Sequence, residues 1–100
     1  MISVEFSPQA KRDLQQIKRW YNRKQKGLGV SFVHEIDSKL QGLVKTPLMH
    51  GAYYQDIRRA PVHIFPYTIL YRVANELVEI VAICHHKQDI ARIIKKRIDG

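Results

Sequence analysis

Two long apolar runs separated by a three-residue break constrain the fold of this chain more than any other feature. The first run covers residues 62–73 and the second covers residues 77–85, with Ala74-Asn75-Glu76 between them. Both runs are rich in β-branched and aromatic residues, which favour strands, and the short break is typical of a turn. The pattern therefore predicts a pair of antiparallel strands.

Charged and histidine side chains flank this pair of runs. Arg58 and Arg59 precede it, and His85, His86 and Lys87 follow it. A sheet built from these runs is expected to bring the two clusters close together. Because neighbouring residues of a strand point to opposite faces, only one of the two histidines can join a given face. The alternation places His85 on the less uniformly apolar face, so we favour His85 for a functional role.

The first half of the chain has the patterns of one short strand and two helices. Ile2, Val4 and Phe6 alternate with polar residues, as in a strand, and Ser7-Pro8 is a typical helix start. Apolar residues then recur at helical spacing in two stretches: Ala10, Leu14, Ile17 and Tyr21, and then Val33, Ile36, Leu40 and Leu43. A glycine-containing connection at Lys26–Gly29 lies between them, so we predict an antiparallel helical hairpin.

The second half predicts a sheet that packs on this hairpin. We expect a second strand at Tyr53–Arg59, a turn at Ala60-Pro61, a third strand at Val62–Val73 and a fourth at Leu77–His85. Together they form a three-stranded antiparallel meander, with one face on the helices and the other partly open. Pro66 cannot donate a ladder hydrogen bond, so it predicts a bulge or bend.

A short basic helix is expected to end the chain. Asp89 is a suitable N-cap, and the apolar residues that follow are expected to dock inward: Ile90, Ile93 and Ile94. Its cations are expected to face water: Arg92, Lys95, Lys96 and Arg97. The fold class is therefore α+β, in one domain that covers residues 1–100.

Composition limits the possible functions. The formal net charge of +8 favours an anionic partner, either nucleic acid or an acidic protein. No apolar run approaches the roughly 20 residues that cross a membrane, and the start of the chain lacks a secretory signal core. The single cysteine, Cys84, excludes an intrachain disulfide. We expect a cytoplasmic protein without membrane association.

The histidines do not have the spacing of a metal site. The sequence contains five histidines, none in an H-x-x-x-H or H-x-H pattern, and the cysteine has no partner motif. Phosphate-binding glycine loops and a nucleophilic serine elbow are also absent from the sequence. We therefore predict no metal and no cofactor. The basic residues also have structural alternatives, since Arg58 and Arg59 can be surface cations or partners of Asp56 and Glu79, and Arg72 can pair with Glu79 across the hairpin.

The chain resembles the RelE/ParE toxin superfamily of bacterial type II toxin–antitoxin systems, which includes plasmid stabilisation systems. The resemblance lies in F-S-P-Q-A-K-R-D-L before and into the first helix, L-G-V-S-F-V-H-E-I in the second, and I-R-R before the third strand. Its most specific part is F-P-Y-T-I-L-Y-R-V followed by V-E-I-V-A-I-C-H-H-K-Q-D. The resemblance implies a growth-inhibiting toxin that forms a hetero-oligomer with a small antitoxin, whose acidic, amphipathic half binds near the helical hairpin or the sheet.

The last strand is closer to the ParE branch than to the RelE branch. ParE-like chains often end this strand in H-x-R-R-D-P, and the corresponding residues here run from His85 to Ile90, with His85, Lys87 and Asp89 preserving part of the pattern. This branch implies poisoning of DNA gyrase by binding, without enzymatic activity of the toxin itself. The alternative is a RelE-like, metal-independent endoribonuclease that cuts mRNA on the ribosome. A second alternative is a degenerate family member that is not toxic.

Each alternative makes a prediction about residues. A ribonuclease would use Arg58, Arg59, His85 and Lys87, although the tyrosine that RelE-like enzymes carry after the last strand is missing here. The resemblance implies a target-binding or antitoxin-binding surface that includes ten residues: Arg58, Arg59, Arg72, His85, His86, Lys87, Arg92, Lys95, Lys96 and Arg97.

Overall fold

A five-stranded sheet forms the centre of the structure, a computed structural model that describes residues 2–99. Its elements are β1 (Ser3–Phe6), α1 (Pro8–Lys24), α2 (Leu28–Leu43), β2 (Ala52–Tyr54), β3 (Ile57–Pro61), β4 (Tyr67–Ala74), β5 (Leu77–His85) and α3 (Ile90–Asp99). The strand order is β1-β5-β4-β3-β2. β1 runs parallel to β5, and every other neighbouring pair is antiparallel. The predicted α+β class is confirmed, with its N-terminal strand, helical hairpin, antiparallel meander and C-terminal helix.

The start of α1 lies where the sequence predicts it. The Ser7 hydroxyl accepts a hydrogen bond from the Ala10 backbone N–H at 3.0 Å, which satisfies one of the free donors of the first turn. Pro8 occupies the first helical position, where its missing N–H is harmless. The predicted apolar stripe of α1 packs against the sheet, with Ala10 completely buried.

The connection between α1 and α2 depends on two glycines. Gly27 caps α2 with a φ of +86°, a left-handed conformation that glycine adopts without strain. A Cβ atom at Gly29 would lie 2.2 Å from the carbonyl oxygen of Lys18, so the two helices approach closely at this residue. Asn22 supports the contact, because its Oδ1 accepts a hydrogen bond from the Gly29 N–H at 2.7 Å. The predicted helical hairpin is confirmed, but the connection predicted at Lys26–Gly29 is wrong at its end, because Leu28 and Gly29 already belong to α2.

The helical hairpin covers one face of the sheet, and α3 covers part of the other. The hairpin face has a core built around Phe32, Ile36, Ile69 and Tyr71. On the opposite face α3 buries a second core, in which Ile94 has no exposed surface. The isoleucines of α3 cover only part of this face, where Arg59 and Pro61 stay exposed, so the prediction of one partly open face is confirmed.

The segment predicted as one strand at Tyr53–Arg59 is a hairpin of two strands. Gln55 has a φ of +51° and lies in the turn that separates β2 from β3. The meander therefore contains one more strand than predicted. Ala60 and Pro61 belong to the end of β3 rather than to a turn, and the chain turns between residues 62 and 66. Pro66 lies in this bend, so the bend predicted at Pro66 is confirmed, although it comes just before β4 begins at Tyr67 rather than within the strand.

A β-bulge lies instead in β5 at Val81. Leu70 of β4 is opposite Ala82, whereas the next residue, Tyr71, is opposite Ile80, so that Val81 is the extra residue. The bulge reverses the alternation of β5. Ile80 and Ile83 consequently both face the helical hairpin, and the prediction that Val78, Ile80, Ala82 and Cys84 share one face is wrong.

Candidate functional site

Arg59 and His86 lie together in a cleft on the α3 face of the sheet, which we call the α3-side cleft. It has a volume of about 240 Å³ and is also lined by Pro61, Thr68 and Ile90. The strand register explains the convergence, because Pro61 is opposite Thr68 and Thr68 is opposite Cys84, just before the histidines. The two basic clusters therefore meet, as predicted, but only through one residue of each.

The side chains of this cleft are held in defined positions. The Arg59 guanidinium lies over the Tyr53 ring, 4.5 Å from its centroid. His86 Nε2 lies 2.9 Å from the Tyr67 carbonyl oxygen, which can only accept a hydrogen bond, so Nε2 carries a proton. In the neutral ring Nδ1 is then an acceptor. The cleft thus combines a fixed cation with one titratable ring.

Arg58 lies on the other face of the sheet and holds a loop. Its Nη1 donates to the carbonyl oxygens of Leu48, at 3.4 Å, and His50. The Tyr71 hydroxyl donates to the Pro47 carbonyl oxygen at 2.9 Å, and burial raises the pKa of Tyr71 although the nearby Arg58 lowers it. Arg58 and Tyr71 therefore tie the segment 47–50 to the sheet. Among the side chains of residues 2–98 Arg58 and Arg59 form no ion pair, so of the two alternatives the pairing with Asp56 or Glu79 is not observed.

The Val81 bulge places His85 on the helical-hairpin face, and the preference for His85 on the less apolar face is therefore wrong. Its ring packs edge-on against Tyr67 with centroids 5.1 Å apart, and its Nδ1 accepts a hydrogen bond from the Lys87 N–H at 3.1 Å. Arg58 is opposite Tyr71 and His85 is opposite Tyr67. These positions are four residues apart on β4, or about 13 Å. The structure therefore does not bring Arg58 and His85 together.

An ion pair that the sequence did not predict joins α3 to α1. Arg97 Nη1 and Nη2 donate to the two carboxylate oxygens of Asp13 at 2.8 and 2.9 Å. Arg97 also donates to the Val81 carbonyl oxygen at 3.0 Å, and Asp13 accepts from the Ile83 N–H at 3.0 Å. The pair thus binds two backbone groups of β5, the Val81 carbonyl and the Ile83 N–H. The prediction that Arg97 faces water is wrong, because 21% of its side chain is exposed.

The environment of this pair also affects two pKa values. The hydrogen bonds to Asp13 raise the pKa of Arg97, which keeps it charged. Burial, together with the negative charge of Asp13, raises the pKa of the Cys84 thiol to about 12. Cys84 is therefore a neutral core residue at physiological pH. The signal that could have found the pair is that Asp13 is the lone acid of α1.

The remaining predicted site residues differ in whether their side chains are free to contact a partner molecule. Arg72 pairs with Glu79 across the β4–β5 hairpin at 2.6 Å, as the structural alternative predicted. The exposed cations beyond β5 are Lys87, Arg92, Lys95 and Lys96. Asp89 caps α3, since its Oδ1 accepts from the Arg92 N–H at 3.2 Å. Four cations on or next to α3 are therefore free to contact a partner.

Two other kinds of site are absent from residues 2–99, a metal-binding cluster and a membrane-spanning helix. No group of three or more histidine, cysteine or acidic side chains is arranged to hold a metal ion. None of the helices in this part of the chain has the length and apolar character needed to cross a bilayer.

Comparison with known proteins places the chain in a family. The family model described as the ParE toxin of the type II toxin–antitoxin system parDE matches residues 4–90. The chain belongs to the ParE toxin family. The predicted superfamily, and the ParE branch within it, are thereby confirmed.

Among solved structures, the ParE toxin fold is found again at low sequence identity. A chain described as the chromosomal ParDE toxin–antitoxin system from P. aeruginosa matches with a TM-score of 0.74 and 18% identity. The match covers 85% of this chain and 96% of that chain. No curated protein matches significantly. The family match ends at Ile90, so most of α3, with Arg97, lies outside it.

Proposed function

We propose that this ParE-family toxin inhibits growth by binding DNA gyrase and that a small acidic antitoxin neutralises it. Family membership supports the toxin role. The observation that carries the proposed binding mode is the separation of the candidate ribonuclease residues. Arg59 lies in the α3-side cleft, whereas Arg58 and His85 are engaged in different contacts on the opposite face. This arrangement favours a binding surface over a centre for proton transfer.

The chemistry of RNA cleavage explains why this separation matters. Cleavage without a metal needs a proton acceptor and a proton donor within about 3 Å of the reacting oxygens, and a cation at the phosphate. In the α3-side cleft His86 is the titratable group, because arginine stays protonated at any physiological pH. A single histidine with one nitrogen on a carbonyl oxygen does not supply both proton-transfer roles.

The same surface is well suited to bind an acidic protein. Arg59 is exposed in the α3-side cleft, and its guanidinium stacks on Tyr53. Arg92 is also exposed and lies in the first turn of α3. Arginine is enriched at protein interfaces because its planar guanidinium forms paired hydrogen bonds and stacks on aromatic rings. We infer that Arg59 and Arg92 contact gyrase.

A gyrase assay tests this proposal. Purified toxin is expected to inhibit supercoiling or to trap cleavage complexes at micromolar concentration. The double variant Arg59→Gln/Arg92→Gln should require at least tenfold more protein for the same effect. The control is Lys39→Gln/Lys45→Gln, which removes the same charge elsewhere. Unaffected gyrase across the micromolar range would reject the target, and equal loss in the control would reject the assigned residues.

The antitoxin is expected to cover exposed apolar residues of the helical hairpin. Val30 on α2 is 60% exposed and Trp20 on α1 is 46% exposed, although both helices are otherwise packed on the sheet. An acidic, amphipathic segment matches this surface and the net charge of +8. Val30→Glu should weaken the complex with the antitoxin, measured by copurification of the two proteins. Leu48→Glu is the matched control, since Leu48 is 62% exposed outside the hairpin.

Ribosome-dependent mRNA cleavage is the second candidate function. It is favoured by one observation, the shared cleft of Arg59 and His86 next to the buried Thr68. If the toxin is a nuclease, induced cells should show new message ends by primer extension, and His86→Gln should remove them. Absence of new ends rejects this candidate. Unchanged growth on induction without antitoxin would instead identify a degenerate, non-toxic member.

A further inference from the structure

The outward face of α1 is a polar, basic surface that the proposed function does not use. α1 has 17 residues, and those at helical spacing on this side define what we call the α1 basic face: Lys11, Arg12, Gln15, Gln16, Arg19, Asn22 and Arg23. All seven are exposed. The face contains four cations and three amides, with neither a carboxylate nor an apolar side chain. The first five of these residues line a shallow depression of about 290 Å³.

The cations of the α1 basic face have no acidic partner in the fold. Asp13, the lone acid of α1, is turned away and held by Arg97. Among the side chains of residues 2–98, no carboxylate lies within ion-pair distance of the four cations. Arg19 and Arg23 are four residues apart, a spacing at which like charges repel and destabilise a helix. The face therefore carries four positive charges that no ion pair among the side chains of residues 2–98 neutralises.

We propose that the α1 basic face binds the phosphate backbone of duplex DNA. Phosphate oxygens accept hydrogen bonds from arginine, lysine, glutamine and asparagine, the four side-chain types of this face. From Lys11 to Arg23 the face is about 18 Å long, at about 1.5 Å per residue. That length corresponds to about five base pairs at about 3.4 Å each. This proposal does not depend on gyrase being the target.

Two other partners fit the face less well. A protein interface needs an apolar core with few lysines, and the α1 basic face has no apolar side chain. Single-stranded nucleic acid is bound through aromatic rings on which bases stack. The exposed aromatic residue of α1, Trp20, is outside the face and has Lys24 Nζ 4.9 Å from its ring centroid. Duplex phosphates are therefore the favoured ligand.

Counterion release gives the proposal a measurable magnitude. Each neutralised phosphate contributes about 0.9 to the slope of log K against log salt, so four contacts give a slope near −3.6. Affinity should then fall by about 150-fold between 50 and 200 mM salt. Replacing two of the four cations should reduce this fall to about 12-fold. The salt dependence thus reports the number of contacts as well as their presence.

The experiment compares two double variants by fluorescence anisotropy with a 20-base-pair duplex DNA of arbitrary sequence. Arg12→Gln/Arg19→Gln removes two cations of the α1 basic face and introduces a side chain that the face already contains. Lys39→Gln/Lys45→Gln lowers the net charge equally elsewhere. The first variant should bind at least tenfold more weakly at 50 mM salt and show the smaller slope, while the control should stay within threefold of the wild type. Circular dichroism checks that both remain folded.

Three outcomes would overturn the proposal. One is wild-type protein that does not bind the duplex at 50 mM salt. Another is equal loss of affinity in both variants, which would indicate net charge rather than a located surface. The third is an Arg12→Gln/Arg19→Gln variant that binds DNA normally but loses its acidic antitoxin, which would assign the α1 basic face to a protein partner. Failure of gyrase inhibition alone would leave the DNA result standing.

Discussion

Replacing Gly29 with alanine tests the close contact between α1 and α2. The added Cβ would lie 2.2 Å from the Lys18 carbonyl oxygen and 2.7 Å from the Asn22 side chain. The first distance is about 1 Å below van der Waals contact with a backbone atom that has no rotamer to change. The helices must therefore separate, and the hydrogen bond from the Gly29 N–H to Asn22 is weakened.

Three terms determine the magnitude for Gly29→Ala. Overpacking costs about 1–3 kcal/mol, and loss of the hydrogen bond adds about 0.5–1.5 kcal/mol. The higher helix propensity of alanine offsets at most about 1 kcal/mol of this loss of stability. We expect the free energy of unfolding to fall by about 2 kcal/mol, which lowers Tm by about 10 °C for a domain of this size.

Gly42 provides the matched control. It also lies in α2, but a Cβ atom there meets nothing within 4 Å. Gly42→Ala should therefore leave stability unchanged or raise it by up to about 1 kcal/mol. Urea denaturation followed by circular dichroism measures both variants. If Gly29→Ala unfolds at the same urea concentration as Gly42→Ala, the close helix contact is not the constraint on residue 29 that we infer.

Three further predictions concern contacts within the fold. Asp13→Ala should lower the free energy of unfolding by about 2–3 kcal/mol, because it leaves the Arg97 cation without its carboxylate partner. Arg97→Met should lower the free energy of unfolding by less, as measured in the same urea denaturation assay. Because the pKa of Cys84 is raised from 9.0 to about 12, its stabilising contribution is complete below pH 9 and is lost as pH rises toward 12. The stability difference between wild type and Cys84→Ala should shrink over that window, and a constant difference would contradict the assignment. Arg58→Met should release the segment 47–50 and raise its amide exchange rates, because Arg58 donates to two carbonyl oxygens of that segment. Exchange rates equal to those of the wild type would contradict this structural role.

Local signals in the sequence predicted much of the fold. Ser7-Pro8 starts α1 and Gly27 starts α2, because caps and left-handed glycines act within a few residues of the chain. The β4–β5 turn at Asn75-Glu76 was predicted for the same reason, and Asn75 has a φ of +57°. Such features depend on neighbouring residues, so the sequence alone reveals them.

The candidate site was predicted only in part. Arg59 and His86 meet, since the strand order follows from short connections. The face of each histidine could not be predicted, because one extra residue, Val81, reverses the alternation of β5 after that point. The division of the strand predicted at Tyr53–Arg59 was missed for a related reason. Gln55 forms the turn between β2 and β3 in a left-handed conformation, which glutamine seldom adopts.

By itself, the amino-acid sequence determined the class of the fold, the order of its elements except for the division of one strand into β2 and β3, and the resemblance to the toxin superfamily, since these depend on periodic patterns and local motifs. Only the tertiary structure decided which cations are available. Arg97 and Arg58 were predicted as exposed binding residues, yet Asp13 holds the first and the loop carbonyls hold the second. Asp13 and Arg97 are 84 residues apart in the chain, and a charge pair at that separation depends on packing that no local pattern encodes.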